Sequence, residues 1–153
     1  MSVDTLLDYY QNSKIDPVAI ETHGKKWIRH KQCRVNLYEN HLKIPISWFN
    51  DRQILEFGPN GGENSLILAE YGASVTLVEP RLEMHENIIK LYKKASLYDN
   101  LIGLYDDTLE SFIRDRDYTI AIAEGFFNAL PDRLNAINDN CFFDSEFVFF
   151  TYS

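Results

Sequence analysis

One stretch of the chain constrains its fold more than any other: a short apolar run that ends in an acid and enters a glycine-rich turn. Residues 54–62 read Ile-Leu-Glu-Phe-Gly-Pro-Asn-Gly-Gly, helix-forming sequence follows over 63–71, and a second apolar run ends at Glu79. Glycine allows a sharp turn and the close approach of a ligand. A helix start offers unpaired N–H groups, and a carboxylate at the end of the neighbouring strand can accept hydrogen bonds from two ribose hydroxyls. The order strand, glycine loop, helix, strand, acid predicts a βαβ unit that holds a nucleotide-like ligand.

This unit resembles motif I of the class I S-adenosylmethionine-dependent methyltransferases, which usually reads acid-x-Gly-x-Gly-x-Gly after the first strand. The matching positions here are Glu56, Gly58, Asn60 and Gly62, and Glu79 matches the acid that ends the family's second strand. Asn60 replaces the middle glycine. Because Asn tolerates positive φ better than most residues, we expect the turn to form with Asn60 in that place.

A nicotinamide dinucleotide is the competing ligand for such a loop. Its G-x-G-x-x-G fingerprint, started at Gly58, needs glycine at positions 60 and 63, where the chain has Asn60 and Glu63. A carboxylate at the helix start would also repel a pyrophosphate. S-adenosylmethionine has no phosphate, so the sequence favours it over the dinucleotide.

The resemblance implies a role for each part of the loop. Five residues would cradle the methionine end of the cofactor: Glu56, Gly58, Asn60, Gly61 and Gly62. Glu79 would hold the ribose, and Asp106 or Asp107, just past the third strand, would contact the adenine. Asp107 with Thr108 can equally be the N-cap of a short helix, and both interpretations remain open.

The acceptor side is expected after the fourth strand, where Glu124 and Phe126 border the cleft in many relatives. Glu124 is the best-placed acid to orient an acceptor or act as a base, and the alternative is that it only caps the turn. Within the helical span 18–43, ten residues carry five cations: Lys25, Lys26, Arg29, Lys31 and Arg34. They form either a solvated face or a patch for an anionic acceptor, such as a phosphorylated sugar or nucleotide.

N-terminal helices often lie over the cofactor pocket in relatives of this kind. His30 and Arg34 are therefore candidate acceptor-binding residues. Trp27 and Tyr38 are candidate lid residues as well, although core packing is the expected role of these aromatics. Ile28, Val35 and Leu42 recur every seven residues, with Lys31 and Tyr38 between them on the same stripe, and this pattern predicts a helix.

The resemblance implies an α/β fold, Rossmann-like and doubly wound, with a mainly parallel sheet in the order 3-2-1-4-5 and helices on both faces. The predicted strands are 53–57, 74–79, 101–105, 118–123 and 147–152, with helices over 63–71, after Pro80, and over 108–113 and 131–138. Residues 1–50 are expected to form an N-terminal helical cap on the core, 51–153, of a single domain.

The family's sheet usually has seven strands, and this chain supplies five. The run Phe147 to Phe150 would then form an open apolar sheet edge, which invites pairing with another chain. The chain is either a piece truncated after strand five or a short natural form that dimerises through the strand-five edge, and the sequence leaves both open.

Composition limits the remaining functions. The formal net charge of -8 and the pI of about 4.9 argue against general nucleic-acid or membrane-surface binding. The Cys and His residues lack the spacing of a metal site, so no metal is expected. No targeting or membrane-spanning segment is visible, which predicts a cytoplasmic protein. The expected function is methyl transfer to a small-molecule acceptor, and the alternative is a non-catalytic cofactor-binding domain or partner subunit.

Overall fold

Five strands form one parallel sheet in the part of the chain that the computed structural model describes, residues 24–124 and 145–150. The strands are β1 Gln53–Phe57, β2 Ser74–Val78, β3 Leu101–Tyr105, β4 Ile120–Ala123 and β5 Phe147–Phe150. Their order is β3-β2-β1-β4-β5, and every neighbouring pair is parallel. The predicted Rossmann-like sheet order is therefore confirmed, with β4 starting two residues later than predicted.

One helix precedes the sheet and two helices connect its first three strands. The N-terminal helix α1 spans Gly24–Asn36 and continues as a π-helical turn, Leu37–His41; a 3-10 turn, Ile46–Phe49, leads into β1. Helix α2 spans Glu63–Glu70 between β1 and β2, and α3 spans Leu82–Lys94 between β2 and β3. No helix of the described ranges combines the length and the apolar character that crossing a bilayer requires.

Within the described residues, the three helices cover one face of the sheet. The larger hydrophobic cluster joins Trp27 and Tyr38 of α1 to residues of α2, α3 and the inward positions of β1, β2 and β4. On α3, Ile88 is fully buried and Met84 and Leu91 pack against this cluster, as does Ala95 just after the helix. Strands covered on both faces are expected to be apolar throughout, and β1 and β2 are buried along almost their whole length.

The other face is covered by the segment 106–119, which packs Leu109 and Phe112 against a second cluster. The helix predicted over 108–113 is wrong: only one turn forms, closed by the backbone bond from Phe112 N to Thr108 O at 3.0 Å. The backbone N–H of Thr108 donates to the hydroxyl of Ser111 at 2.9 Å. Such local side-chain bonds compete with helix formation. The helix predicted over 131–138 lies outside the described residues.

The stripe predicted on the N-terminal helix is confirmed only in part. Tyr38 is buried and Val35 packs against the larger cluster, whereas Ile28 is 55% exposed and Leu42 is 45% exposed. The buried face instead follows positions 27, 30, 34 and 38, which recur at helical spacing. Large aromatic side chains bury more surface than aliphatic ones, so the helix turns Trp27 and Tyr38 inward. The expectation that these two aromatics serve core packing is confirmed.

Candidate functional site

Three acids extend from the carboxyl ends of neighbouring strands onto the same face of the sheet. Glu56 lies in β1, Glu79 follows β2 and Glu124 follows β4, and β1 lies between the other two strands. Because side chains alternate along a strand, all three acids fall on the face that α1, α2 and α3 cover. The chain runs outward from β1 through β2 to β3 on one side, and β4 and β5 lie on the other side of β1. Open α/β sheets bind ligands at the carboxyl ends of the strands where the strand order reverses in this way.

The glycine loop that follows β1 is held in a left-handed conformation at three positions. The φ angles are +66° at Gly58, +53° at Asn60 and +81° at Gly62. The turn predicted with Asn60 in place of glycine is therefore confirmed. A Cβ at Gly62 would meet only ordinary contacts, 3.5 Å from Ile88 and Tyr92. Glycine is needed at this position for its backbone angle and not for space.

A carboxylate lies over the start of α2. A Cβ built at Gly61 would fall 2.5 Å from both carboxylate oxygens of Glu63, so this side chain folds back over the loop. Negative charge at a helix start is stabilised by the helix dipole. The same charge would oppose a phosphate at this position, which agrees with the preference for a ligand without a pyrophosphate.

Glu79 is 2% exposed, and its carboxylate accepts hydrogen bonds from the glycine loop and from Arg81. The backbone N–H of Asn60 donates to Glu79 Oε2 at 3.2 Å, and the Nε of Arg81 donates to Oε1 at 2.7 Å. Arg81 also donates from Nη2 to the Oδ1 of Asn60 at 2.7 Å. The acid, the arginine and the glycine loop thus form one buried network. Sequence reasoning missed Arg81, although its place two residues after the acid was visible.

Glu56 is, like Glu79, a buried acid. It is 3% exposed, and its Oε2 has no hydrogen-bond partner among the described residues. Burial, with a further contribution from the charge of Glu124, raises the pKa of Glu56 to about 8, against the opposing effect of Arg34. An orphaned buried acceptor of this kind suits a cationic donor.

Two of the predicted acceptor residues contact each other. Arg34 Nη1 donates to Glu124 Oε2 at 2.7 Å, while Nη2 donates to the other carboxylate oxygen and to the hydroxyl of Tyr38 at 3.3 Å. Burial works against the charge of Arg34, yet the hydrogen bond with Glu124 holds the pKa of Arg34 above its ordinary value. A two-point ion pair therefore joins α1 to the end of β4.

His30 reaches the other side of the loop. Its Nε2 lies 3.0 Å from the Oδ1 of Asn64 in the first turn of α2, so an Nε2–H donates to the amide oxygen. Lys31 forms an ion pair with Glu70 at 2.5 Å. Of the five predicted cations of α1, Lys31 and Arg34 are thus in ion pairs, and the other three are exposed: Lys25, Lys26 and Arg29.

The adenine candidates lie on the turn that follows β3. Asp106 is exposed, and Asp107 accepts a hydrogen bond from the hydroxyl of Ser111 at 3.1 Å. Thr108 Oγ1 accepts from the backbone N–H of Ser111 at 3.3 Å, so Thr108 bonds the backbone of the turn and Asp107 does not. Phe126 lies outside the described residues. Across the described ranges, no group of three or more His, Cys, Asp or Glu side chains could hold a metal ion.

The chain is similar to solved methyltransferase structures. Coclaurine N-methyltransferase bound to N-methylheliamine and SAH is 16% identical, with a TM-score of 0.59 over 78% of this chain and 33% of that chain. The Trypanosoma brucei PRMT1 enzyme-prozyme heterotetrameric complex with AdoHcy is 18% identical, with a TM-score of 0.54 over 74% and 36%. This chain spans about a third of the length of these two. No family model and no curated protein matches the sequence.

The sheet order, the glycine loop and these similarities agree with one another. The chain has the Rossmann-like fold of the S-adenosylmethionine-dependent methyltransferases.

Proposed function

We propose that the chain binds S-adenosylmethionine at the glycine loop and transfers its methyl group to a small-molecule acceptor. One observation carries the proposal: a left-handed loop lies between two buried carboxylates, Glu56 and Glu79, and Glu63 covers the helix start that a phosphate would need. This arrangement suits a ligand that has an ammonium group and a ribose but no phosphate.

The residues of the loop fit the methionine end of this cofactor. The backbone at Gly58, Asn60, Gly61 and Gly62 would approach it closely, since none of these positions projects a large apolar side chain. The Glu56 oxygen without a partner in the described structure would accept from the methionine ammonium. A protonated carboxyl that meets an ammonium is expected to lose its proton, because an adjacent positive charge favours the ionised form.

The other end of the cofactor would use acids on two further strands. Glu79 would accept from the ribose hydroxyls, and Asp106 or Asp107 would contact the adenine amine. Asp106 is the better candidate, because it is exposed, whereas Asp107 already accepts from Ser111. Substitution of Glu79 by Ala should weaken cofactor binding by about 1.5–3 kcal/mol, the range for hydrogen bonds to a charged group.

The bound cofactor supplies an activated methyl group, so the protein has to position the acceptor and receive a proton where one is released. Glu124 would orient the acceptor, with Phe126 beside it. Because Arg34 donates to both oxygens of Glu124, orientation is a better role for this carboxylate than proton abstraction. The exposed cations of α1, Lys25, Lys26 and Arg29, would attract an anionic acceptor, and His30 would line its entry.

A non-catalytic cofactor-binding domain is the second candidate. The observation that favours it is the ion pair between Arg34 and Glu124, which engages both carboxylate oxygens of Glu124. Turnover separates the two. An enzyme converts S-adenosylmethionine in the presence of some member of a panel of acids, phosphorylated sugars and amines. A binding domain holds the cofactor and never converts it.

The first test is calorimetric titration of the purified chain with S-adenosylhomocysteine, with NAD as the matched control. Micromolar binding of S-adenosylhomocysteine and no binding of NAD is the expected result. Binding of NAD alone would contradict the proposal, because it would mean that the loop accepts a pyrophosphate. Absence of both would remove the cofactor role from the loop.

A further inference from the structure

Among the described residues, the carboxylate of Glu79 accepts four hydrogen bonds, two on each oxygen. Oε1 accepts from the backbone N–H of Arg81 at 3.2 Å and from its Nε at 2.7 Å. Oε2 accepts from the backbone N–H of Asn60 at 3.2 Å and from the Nη2 of Arg81 at 3.0 Å. An ionised carboxylate has about four acceptor positions. Protein donors therefore occupy all of them in this structure.

The side chain of Arg81 supplies two of these donors, one to each oxygen. Two neighbouring hydroxyls of a ribose would donate to a carboxylate in the same two-point pattern. The other two donors are backbone N–H groups of Asn60 and Arg81, which belong to the turn itself. Of these four donors' sources, the guanidinium is therefore the one that can leave without any unfolding of the loop.

We infer that the guanidinium of Arg81 occupies the ribose-binding positions of Glu79, and that cofactor binding exchanges it for the two ribose hydroxyls. The inference rests on the proposed cofactor function. Arg81 is then a residue that sets cofactor affinity: it competes with the ligand for the same carboxylate. Its link to the Asn60 side chain at 2.7 Å means that the exchange also releases the glycine loop.

The burial of the pair explains why a competitor is present. Glu79 is 2% exposed and Arg81 is 7% exposed. A buried carboxylate without a counter-charge is strongly destabilising. Arg81 supplies that charge while no ribose is bound. The exchange is local, because the two residues are two positions apart and a long side chain can rotate about several bonds.

A purely supporting role for Arg81 predicts the opposite effect on binding. If Arg81 only holds Glu79 in the correct orientation, removal of Arg81 should weaken ligand binding. If Arg81 competes with the ribose, its removal should strengthen ligand binding. The sign of the change in Kd therefore distinguishes the two roles.

The experiment compares four proteins by calorimetric titration with S-adenosylhomocysteine at pH 8. Arg81→Met retains the length of the side chain and removes its donors. Arg81→Lys retains the charge but cannot span both oxygens. Arg52→Met is the matched control, because Arg52 lies before β1, at the opposite edge of the sheet, where it stacks on Trp48.

We expect the Kd of Arg81→Met to fall at least about tenfold relative to the original chain, a factor that corresponds to about 1.4 kcal/mol. The Kd of Arg81→Lys should lie between these two values, and the Kd of Arg52→Met should match that of the original chain. An equal or higher Kd in Arg81→Met overturns the inference. In that case, binding of S-adenosylhomocysteine by the original chain still supports the proposed function. If no protein of the set binds, both are overturned.

A second measurement needs no variant and covers the case in which Arg81→Met does not fold. The Nε–H of Arg81 should give a protected NMR signal in the ligand-free chain, since it donates to a buried carboxylate. Saturation with S-adenosylhomocysteine should shift this signal and abolish its protection from solvent exchange. A signal that stays protected in the saturated chain would overturn the exchange.

Discussion

Substitution of Glu56 by Gln should remove a large pH dependence from the stability of the chain. In the folded state, burial raises the pKa of Glu56 from its ordinary value of 4.5 to about 8. The folded chain therefore binds this proton over a pH range in which the unfolded chain has released it. Stability from this group is fully present below pH 4.5 and is lost as the pH rises towards 8.

The size of the effect follows from the two pKa values. Each pH unit between 4.5 and about 8 is worth up to about 1.4 kcal/mol. From pH 5.5 to pH 7.5 the original chain should thus lose on the order of 2–3 kcal/mol of its unfolding free energy through Glu56. Gln cannot ionise, so the variant should lack this loss. Its buried amide adds a cost of about 1–3 kcal/mol that does not depend on pH.

Urea denaturation at intervals from pH 5 to pH 8.5 measures how the unfolding free energy changes with pH in the original chain and in Glu56→Gln. Other titrating groups are common to the two proteins and cancel when the curves are subtracted. Glu86→Gln is the matched control, since Glu86 is exposed and paired with Lys90, and it should retain the slope of the original chain over this range. Parallel curves for the original chain and Glu56→Gln would refute the reasoning, because Glu56 would then titrate near its ordinary value.

Three further predictions concern the loop, the ion pair and the sheet edge. Gly62→Ala should lower stability by about 1–2 kcal/mol and weaken the binding of S-adenosylhomocysteine. Gly72 also has a positive φ, +91°, but lies at the other end of the strands, so Gly72→Ala should lower stability only. Thermal melts and calorimetric titration compare the two variants. Arg34→Met should cost roughly 1–3 kcal/mol by leaving Glu124 without its partner, and the added change Glu124→Gln should restore most of it in urea denaturation. Phe147→Glu should abolish self-association if β5 is a pairing edge; sedimentation of the original chain as a monomer would contradict this.

Position 147 is a better probe of the sheet edge than position 149. Phe147 is exposed, whereas Phe149 is partly buried and packs against the larger cluster, with its ring 6.5 Å from that of Phe49. A charge at Phe149 would therefore disturb the core as well as any pairing. Pairing through this edge remains a proposal.

The strands and the loop could be predicted from the sequence because their signals are local. An apolar run, an acid and a glycine turn fix a strand end within a few residues, and Asn60 takes the left-handed angle that its side chain tolerates. The carboxyl ends of parallel strands meet at one edge, so the positions of Glu56, Glu79 and Glu124 followed from the sheet order.

The partners of those acids could not be predicted in the same way. Arg34 and Glu124 are 90 positions apart, and their contact depends on how α1 packs on the sheet. The exposure of Ile28 on α1 has a related cause. Periodicity placed Ile28 on the stripe and not Trp27, and the packing of large aromatics decided which face is buried.

The contacts of α1 have a consequence for how the chain can be divided. Trp27 and Tyr38 lie in the same cluster as the sheet, and Phe49 joins them there. His30 and Arg34 add polar links to α2 and to the end of β4. Cloning from residue 51 onward would remove three large side chains from the main core and leave Glu124 without its counter-ion. The segment 24–49 and the sheet share one core, so we expect a shortened chain that starts at β1 to unfold rather than survive as a minimal cofactor-binding core.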